Sequence, residues 1–258
     1  MTTDAPVLLD ISHHIARVTL NRPQKRNAVD ATMCAAITQA FDTIEADPDV
    51  RVTVLSGKGS VFCSGMDLRA YQQGQSDQIL FGQYGFAGFV KRRRQKPVIA
   101  AVYGAALAGG FEIMLACDLA VASENAVFGL PEAKLGLIAG GGGAFRLAQR
   151  MPRVLANEML LSGRSVSAQV MQQYGMLNHV TSDGEVIDKA HEIATDIAKN
   201  APLSLASSLA LSDQSCAVSE PDLWAQSDAA LSKLGQSHDV QEGISAFLEK
   251  RAPKWQGS

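Results

Sequence analysis

The stretch PVIAAVYGAALAGGFEIMLACDLAVAS, residues 97–123, contains the pattern that decides the fold of this chain. A short apolar run after Pro97 is typical of a strand that is buried on both faces. A second strand pattern starts near residue 117, and between the two lies an apolar segment that holds Gly109, Gly110 and Glu112. We therefore expect a strand–helix–strand unit with a single carboxylate, Glu112, inside an apolar helix.

Strand and helix patterns alternate on both sides of this unit. Residues 15–21 and 50–60 have strand patterns, and residues 31–47 have helical spacing that ends before Pro48. From about residue 142 onward the patterns are helical, and the last two helices are predicted over residues 223–234 and 240–250. The sequence thus predicts an α/β core followed by a helical appendage that begins near Asn200.

Size and composition restrict the class of protein. The chain has 258 residues, 47% of them hydrophobic, and a net charge of −3, which suits one large domain with no bulk attraction to nucleic acid or anionic lipid. The first residues show no basic segment followed by an apolar run, and no stretch approaches the roughly 18 apolar residues that a membrane span needs. The four cysteines and five histidines have no metal-ligand spacing. We expect a soluble, cytoplasmic protein with reduced thiols that binds no metal, membrane or nucleic acid.

Two motifs leave their interpretation open. GGGGAFRL, residues 140–147, is either a flexible approach to a helix or a backbone that passes close to a ligand. The basic run KRRRQK, residues 91–96, is typical of a solvated helix end, although it could also attract a phosphate-bearing ligand or a neighbouring subunit.

Two glutamates are candidates for proton transfer. A buried, unpaired carboxylate at Glu112 would cost several kcal/mol and raise its own pKa, unless it pairs with Lys or Arg or is stabilised in the first turn of its helix. Glu132 follows Pro131 at a predicted helix start, which taken alone is an ordinary structural signature. If the two side chains converge, they can hold one water molecule and move protons in both directions.

Two glycine-containing segments supply candidate hydrogen-bond donors. Gly65 precedes Met66 and Asp67 in VFCSGMDLR, and Gly109–Gly110 precede the Glu112 helix. Both segments expose backbone N–H groups at or near helix starts, as the stabilisation of a developing oxyanion requires. Two N–H groups and two carboxylates predict a site for chemistry next to a carbonyl.

Motifs spread over nearly the whole chain resemble the enoyl-CoA hydratase/isomerase (crotonase) superfamily. They are FCSGMDL, the stretch at residues 97–123, FGLPEAKLGL, NEMLLSGRSVSA, YGMLNHV and AFLEKRAPKW. LPEAKLG and the C-terminal EKRAPKWQG place the chain nearest to the carnitinyl-CoA dehydratase branch. The resemblance implies a spiral of repeated ββα units over residues 1–199 and a helical C-terminal segment over residues 200–258 that serves oligomerisation and the CoA pocket, in a homotrimer or homohexamer.

The resemblance also implies a function. The expected substrate is an acyl-CoA thioester, which is reversibly hydrated or dehydrated through an enolate, with no cofactor besides the coenzyme A of the substrate. Glu112 would act on the water that attacks Cβ, Glu132 would deliver the proton to Cα, and the N–H groups of Met66 and Gly109 would bind the thioester oxygen. The residues implied to contact the rest of the substrate are Lys25, Ala28, Ser64, Asp67, Leu68, Phe247 and Lys250.

Other activities in the same superfamily remain alternatives. The presence of both glutamates favours a hydratase or dehydratase over an enoyl-CoA isomerase or a thioester hydrolase. A non-catalytic RNA-binding relative is disfavoured by the net charge and by the lack of aromatic residues in the basic run. The chain departs from the common pattern at Ala108, where many hydratases have glycine, and at LGLIAGGGG, a region that lines the acyl pocket in relatives.

Overall fold

A computed structural model describes residues 5–258, and these residues form nine strands and eleven α-helices. The strands are β1 (Val7–Ser12), β2 (Ile15–Leu20), β3 (Val52–Gly57), β4 (Val98–Val102), β5 (Ala105–Leu107), β6 (Leu119–Ser123), β7 (Val127–Gly129), β8 (Ser165–Ser167) and β9 (His179–Thr181). The helices are α1 (Ala31–Ala46), α2 (Leu68–Gln72), α3 (Ser76–Leu80), α4 (Gly109–Leu115), α5 (Gly143–Arg150), α6 (Arg153–Ser162), α7 (Ala168–Gln173), α8 (Val186–Ala198), α9 (Pro202–Gln214), α10 (Glu220–Leu234) and α11 (His238–Glu249). Three short 3-10 turns cover Pro23–Lys25, Phe86–Gly88 and Glu132–Leu135.

The larger sheet has six strands in the order β1-β2-β3-β4-β6-β9. Only β1 and β2 are antiparallel; the other neighbours are parallel. Alternate residues of its central strands enter two separate apolar cores, of which one is formed with α8 and the other with α1 and the second sheet. Burial on both faces explains why β4 reads as a continuous apolar run rather than an alternating one.

The smaller sheet has three strands in the order β5-β7-β8, and Cys63 extends it through a bridge to Ala106. Three successive stretches of chain therefore contribute one strand to the larger sheet, then an extended segment to the smaller sheet, then a helical turn. These units are β3–Cys63–α2, β4–β5–α4, and β6–β7 with the turn Glu132–Leu135. The predicted α/β architecture with repeated ββα units and a helical C-terminal segment is confirmed.

Most predicted elements lie where their patterns indicate, within a few residues at each end. The helix predicted over residues 31–47 ends at Ala46, and the last two predicted helices are α10 and α11. The short strands β8 and β9 lie in a region predicted to be helical, because three residues are too few to show a period of two. The division into residues 1–199 and 200–258 stays a prediction, and residues 1–4 lie outside the described part of the chain.

The basic run at residues 91–96 lies in the irregular segment before β4, so the interpretation as a helix end is wrong. Three of its side chains are directed inwards: Arg92 to Asp42 at 2.7 Å, Arg94 to Asp118 at 2.6 Å, and Lys96 to the carbonyl of Ile44 at 2.5 Å. Lys91 and Arg93 remain exposed. Most of the cluster therefore stabilises the fold around α1 and β4 rather than forming a basic surface.

Residues 5–258 contain neither a membrane span formed by a helix nor a cluster of metal ligands. No helix there is long and apolar enough to cross a membrane, and no group of His, Cys, Asp and Glu side chains there could hold a metal ion. The four cysteines are free thiols, of which Cys216 alone is exposed. The cytoplasmic location stays a prediction.

Candidate active site

The repeated architecture brings three parts of the predicted site together. Three backbone positions are aligned across the smaller sheet: Cys63, Ala106 and Phe128. Met66 and Gly109 each follow their aligned position by three residues, and Glu132 follows by four. Each residue thus lies where its unit leaves the smaller sheet and turns into a helix, so the fold itself places them at one end of that sheet.

The backbone N–H of Met66 is directed away from its neighbouring strand. Val29 N–H donates to the Gly65 carbonyl at 2.8 Å, and Asp67 N–H donates to the Val29 carbonyl at 2.9 Å. Because successive N–H groups of an extended segment point to opposite sides, the N–H of Met66 faces away from Val29. Within residues 5–258 it donates to no protein acceptor.

The backbone N–H of Gly109 lies beside that segment. Gly109 is the first residue of α4, so its N–H has no partner inside the helix. A Cβ on Gly65 would come 2.9 Å from the Gly109 nitrogen, which shows how closely the two main-chain segments approach. The residue between the strand and the helix, Ala108, has a φ of +50°, a conformation that favours glycine. This strained turn directs the start of α4 towards the Met66 segment.

Two glycines allow the start of α4 to pack directly against neighbouring residues. A Cβ on Gly109 would come 2.3 Å from the Phe86 ring, and one on Gly110 would come 2.2 Å from the Cys63 carbonyl oxygen. No side chain fits at either position without moving its neighbours. The glycine pair is therefore required for packing as well as for exposing an N–H group.

Glu112 is buried, with 4% of its surface exposed, among the apolar residues of α4. Its Oε1 accepts a hydrogen bond of 2.9 Å from the N–H of Gly143, the first residue of α5. No lysine or arginine forms an ion pair with it within residues 5–258. The carboxyl thus lies in the first turn of one helix and at the N-terminus of another, where both dipoles favour negative charge.

Burial raises the pKa of Glu112 to about 7, and the neighbouring carboxylate of Glu132 adds to the rise. The hydrogen bonds from the N–H groups of Gly143 and Gly141 oppose it, as does the charge of Arg146. Desolvation and a like charge therefore outweigh two backbone hydrogen bonds and the charge of Arg146. A carboxyl with this pKa changes its protonation state close to neutral pH.

Glu132 supplies the second carboxyl. It begins the 3-10 turn Glu132–Leu135, directly after Pro131. Its Oε2 is buried and has no hydrogen-bond partner within the described residues, and burial raises its pKa. An orphaned buried oxygen is costly, and such atoms are concentrated at sites where the missing partner belongs to a ligand. Its charge is among the causes that raise the pKa of Glu112, so the two carboxyls are close enough to interact electrostatically.

Five of the residues implied to contact substrate lie near the Met66 segment. Ser64 N–H donates to the Arg26 carbonyl at 3.0 Å, which joins the loop of Lys25 and Ala28 to the segment of Met66 and Leu68. The fifth, Asp67, caps α2 through the N–H groups of Arg69 and Ala70 and lies 3.3 Å from Arg22. Its carboxylate thus holds the segment in place. The contacts of all five with substrate stay predictions.

The remaining two residues lie elsewhere in the chain. Phe247 and Lys250 are at the end of α11, and both are exposed, Phe247 by 83%. The structure does not bury them beside Glu112. The resemblance anticipates this arrangement if the C-terminal segment serves a neighbouring subunit.

The sequence did not identify the glycine run as part of the Glu112 environment. A Cβ on Gly141 would come 2.5 Å from Glu112 Oε2, and one on Gly143 would come 3.0 Å from Oε1. The run therefore passes close to a carboxyl of the same chain, and the interpretation that it approaches a ligand stays a prediction. Four consecutive glycines indicate a close approach to the backbone, but they do not reveal which group approaches it.

Known proteins of one family match this chain over almost its full length. A family model described as "Enoyl-CoA hydratase/isomerase" matches residues 10–258. The chain is 40% identical over 254 residues to the enoyl-CoA hydratase EchA19 of Mycobacterium tuberculosis, covering 96% of each protein. It is equally 40% identical over 254 residues to the carnitinyl-CoA dehydratase of Proteus mirabilis, covering 94% of this chain and 95% of that one. The crystal structure of the enoyl-CoA hydratase EchA1 from Mycobacterium marinum matches with a TM-score of 0.95 at 40% identity, covering 99% of this chain and 100% of that one.

Proposed function

The chain belongs to the enoyl-CoA hydratase/isomerase family, and we propose that Glu112 and Glu132 carry out its reaction, the reversible hydration of a 2-enoyl-CoA thioester. The relatives at 40% identity confirm the predicted family and its hydro-lyase chemistry. The observation that supports the assignment of residues is the common position of the four groups. Met66, Gly109 and Glu132 leave the smaller sheet at the same end, Glu132 has a buried carboxyl oxygen without a partner, and Glu112 lies three residues after Gly109 on α4. This combination supports proton transfer next to a stabilised carbonyl oxygen.

In the hydration direction, ionised Glu112 accepts a proton from a water molecule, and the water oxygen forms a bond to Cβ of the substrate. The electron pair of the Cα–Cβ double bond moves to the thioester, whose oxygen takes up the negative charge. The electron pair then returns to form the Cα–H bond as Glu132 releases its proton to Cα. Dehydration follows the same steps in reverse, so one arrangement serves both directions.

The N–H groups of Met66 and Gly109 are the proposed donors to the thioester oxygen. They are fixed by the bridge to Val29 and by the start of α4, so they need little reorganisation when charge develops. Donors of this kind contribute about 2.7–4 kcal/mol each to transition-state stabilisation elsewhere. Their effect is larger where water is excluded, and the apolar residues around Glu112 provide such surroundings.

The raised pKa values suit a pair that holds one proton. Because the charge of Glu132 raises the pKa of Glu112, the two carboxyls lose their protons in separate steps, and the singly protonated pair exists between those steps. In that state one carboxyl acts as base and the other as acid. The chemistry proposed here is complete with these four groups and the coenzyme A of the substrate, so no further cofactor takes part in it.

A product analysis tests the proposed activity. The protein is incubated with a panel of 2-enoyl-CoA thioesters that differ in chain length and branching, and the loss of the conjugated enoyl absorbance is followed. We expect at least one thioester to give a product heavier by one water molecule. Products of unchanged mass, or free coenzyme A, would instead assign an isomerase or a thioester hydrolase.

We propose further that the C-terminal helices join copies of this chain. Neither α9 nor α10 buries a single residue, and the exposed apolar residues on α10 and α11 are Trp224, Leu231, Ile244, Phe247 and Leu248. Such a face is costly in water and is typical of a subunit contact. Light scattering should give the mass of a trimer or hexamer for the wild type and a smaller mass for the double variant Phe247→Asp/Leu248→Asp. A monomeric wild type would contradict the proposal.

A further inference from the structure

We propose that Arg146 positions the Glu112 carboxyl relative to the Gly109 N–H by joining the two chain segments that support them. Arg146 lies on α5 and has no part in the proton transfers. The inference rests on the proposed roles of Glu112 and Gly109, and it adds a fifth residue to the four on which the proposed reaction depends.

The guanidinium of Arg146 connects two separate parts of the chain. Its Nη2 donates to the Val90 carbonyl at 2.6 Å, and its Nη1 donates to the Gly141 carbonyl at 3.3 Å. A Cβ on Gly142 would come 2.5 Å from Nη1, so the group lies directly against the glycine run. Because a guanidinium is planar and rigid, two such bonds fix the separation of the carbonyls that accept them.

The first of these parts holds Glu112. Gly143 donates to the carboxyl, and Gly141 approaches it so closely that no Cβ fits between them. A shift of residues 141–143 therefore moves or releases the carboxyl. Arg146 holds this segment through the Gly141 carbonyl.

The second part supports Gly109. Val90 N–H donates to the Phe86 carbonyl at 3.3 Å, and the Phe86 ring occupies the space above Gly109 where a Cβ would be. A movement of residues 86–90 would thus change the position of the Gly109 N–H. Through Val90 and Gly141, Arg146 keeps base and oxyanion donor at a fixed separation.

Arg146 also acts on Glu112 through its charge. Burial raises the pKa of Glu112, and the positive charge of Arg146 partly opposes that rise. Loss of the charge should therefore make Glu112 harder to ionise. This effect separates a positioning role from simple structural support, which would leave the pH dependence unchanged.

The experiment compares Arg146→Met, Arg146→Lys and the control Arg150→Met, using the thioester that the wild type hydrates best. Arg150 is exposed on the same helix and has the same charge. Because displacement of reacting groups by about 1 Å can cost 10²-fold, we expect Arg146→Met to lower kcat by about 10- to 100-fold with little change in KM. The acid limb of its profile of kcat against pH should move to higher pH. Arg146→Lys should lower kcat by a smaller factor and leave that limb in place, and Arg150→Met should match the wild type.

Three results would overturn the inference. They are a kcat of Arg146→Met within twofold of the wild type, a loss in that variant without a shift of the acid limb, and an equal loss in Arg150→Met. If Arg146→Met does not fold, Arg146→Lys decides, because a wild-type kcat in that variant would show that the two-point contact is not needed. A wild type that hydrates no thioester would instead overturn the proposed function, so the two failures are distinguishable.

Discussion

Replacement of Glu112 by Gln, or of Glu132 by Gln, is expected to lower kcat for hydration by about 10²- to 10⁴-fold, the range that general acid–base groups contribute. Glutamine keeps the shape of the side chain and can still accept the hydrogen bond from Gly143, but it cannot take up or release the proton. KM should change much less, because neither carboxyl is proposed to hold the coenzyme A. The measurement is the initial rate of loss of enoyl absorbance at saturating substrate.

The double variant provides a further test of the pair. Groups that act as a unit are non-additive, so Glu112→Gln/Glu132→Gln should be only slightly slower than the worse single variant. If the two losses multiply, the glutamates act in independent steps. If either single variant retains half of the wild-type rate, the assignment of that residue as acid or base is wrong.

A stability measurement tests separately whether Glu112 is buried with a raised pKa. The folded-state pKa of Glu112 is about 7, well above the value of about 4.3 in an unfolded chain. Between these values the folded state retains a proton that the unfolded state releases, so the free energy of unfolding falls as pH rises through this window. Glu112→Gln lacks this dependence. Between pH 4.5 and pH 8, its free energy of unfolding in urea should rise relative to that of the wild type by on the order of 2 kcal/mol. A constant difference between the two proteins would mean that Glu112 is not buried as described.

The sequence predicts those features that depend on local pattern. Glu112 in an apolar helix, Glu132 after Pro131, and the glycines before two helix starts are all visible in a few consecutive residues. Their convergence is not visible, because it depends on the alignment of Cys63, Ala106 and Phe128 across a sheet of very short strands. The resemblance to a known family, and not the periodicity, predicted that arrangement.

The repetition of ββα units is hidden from sequence patterns by unequal spacing. The larger-sheet strands of the first and second units start 46 residues apart, from Val52 to Val98. Those of the second and third units start only 21 residues apart, from Val98 to Leu119. A search for a fixed period cannot detect such a repeat. The basic run shows a related limit, since ion pairs such as Arg94 with Asp118 join residues that no helical or strand spacing connects.

A single methyl group on Gly141 should impair catalysis more than it impairs folding. The three nearest atoms to a Cβ there belong to the Glu112 carboxyl, with Oε2 at 2.5 Å, and the φ of Gly141 lies outside the positive range that excludes alanine. The chain can therefore accept Gly141→Ala by displacing the end of one flexible side chain. Because misplacement of a reacting group by about 1 Å costs up to 10²-fold in rate, we expect kcat to fall by about 10²-fold.

The adjacent glycine offers a matched control for this prediction. A Cβ on Gly140 would meet no atom closer than 3.7 Å, so Gly140→Ala adds the same methyl group to the same loop without touching Glu112. We expect Gly140→Ala to keep nearly the wild-type kcat, and both variants to unfold within a few degrees of the wild type in a thermal melt. Equal activity losses in the two variants would attribute the effect to loop stiffness. A fully active Gly141→Ala would show that the reaction does not depend on where the Glu112 carboxyl lies, and the proposed mechanism could not survive that result.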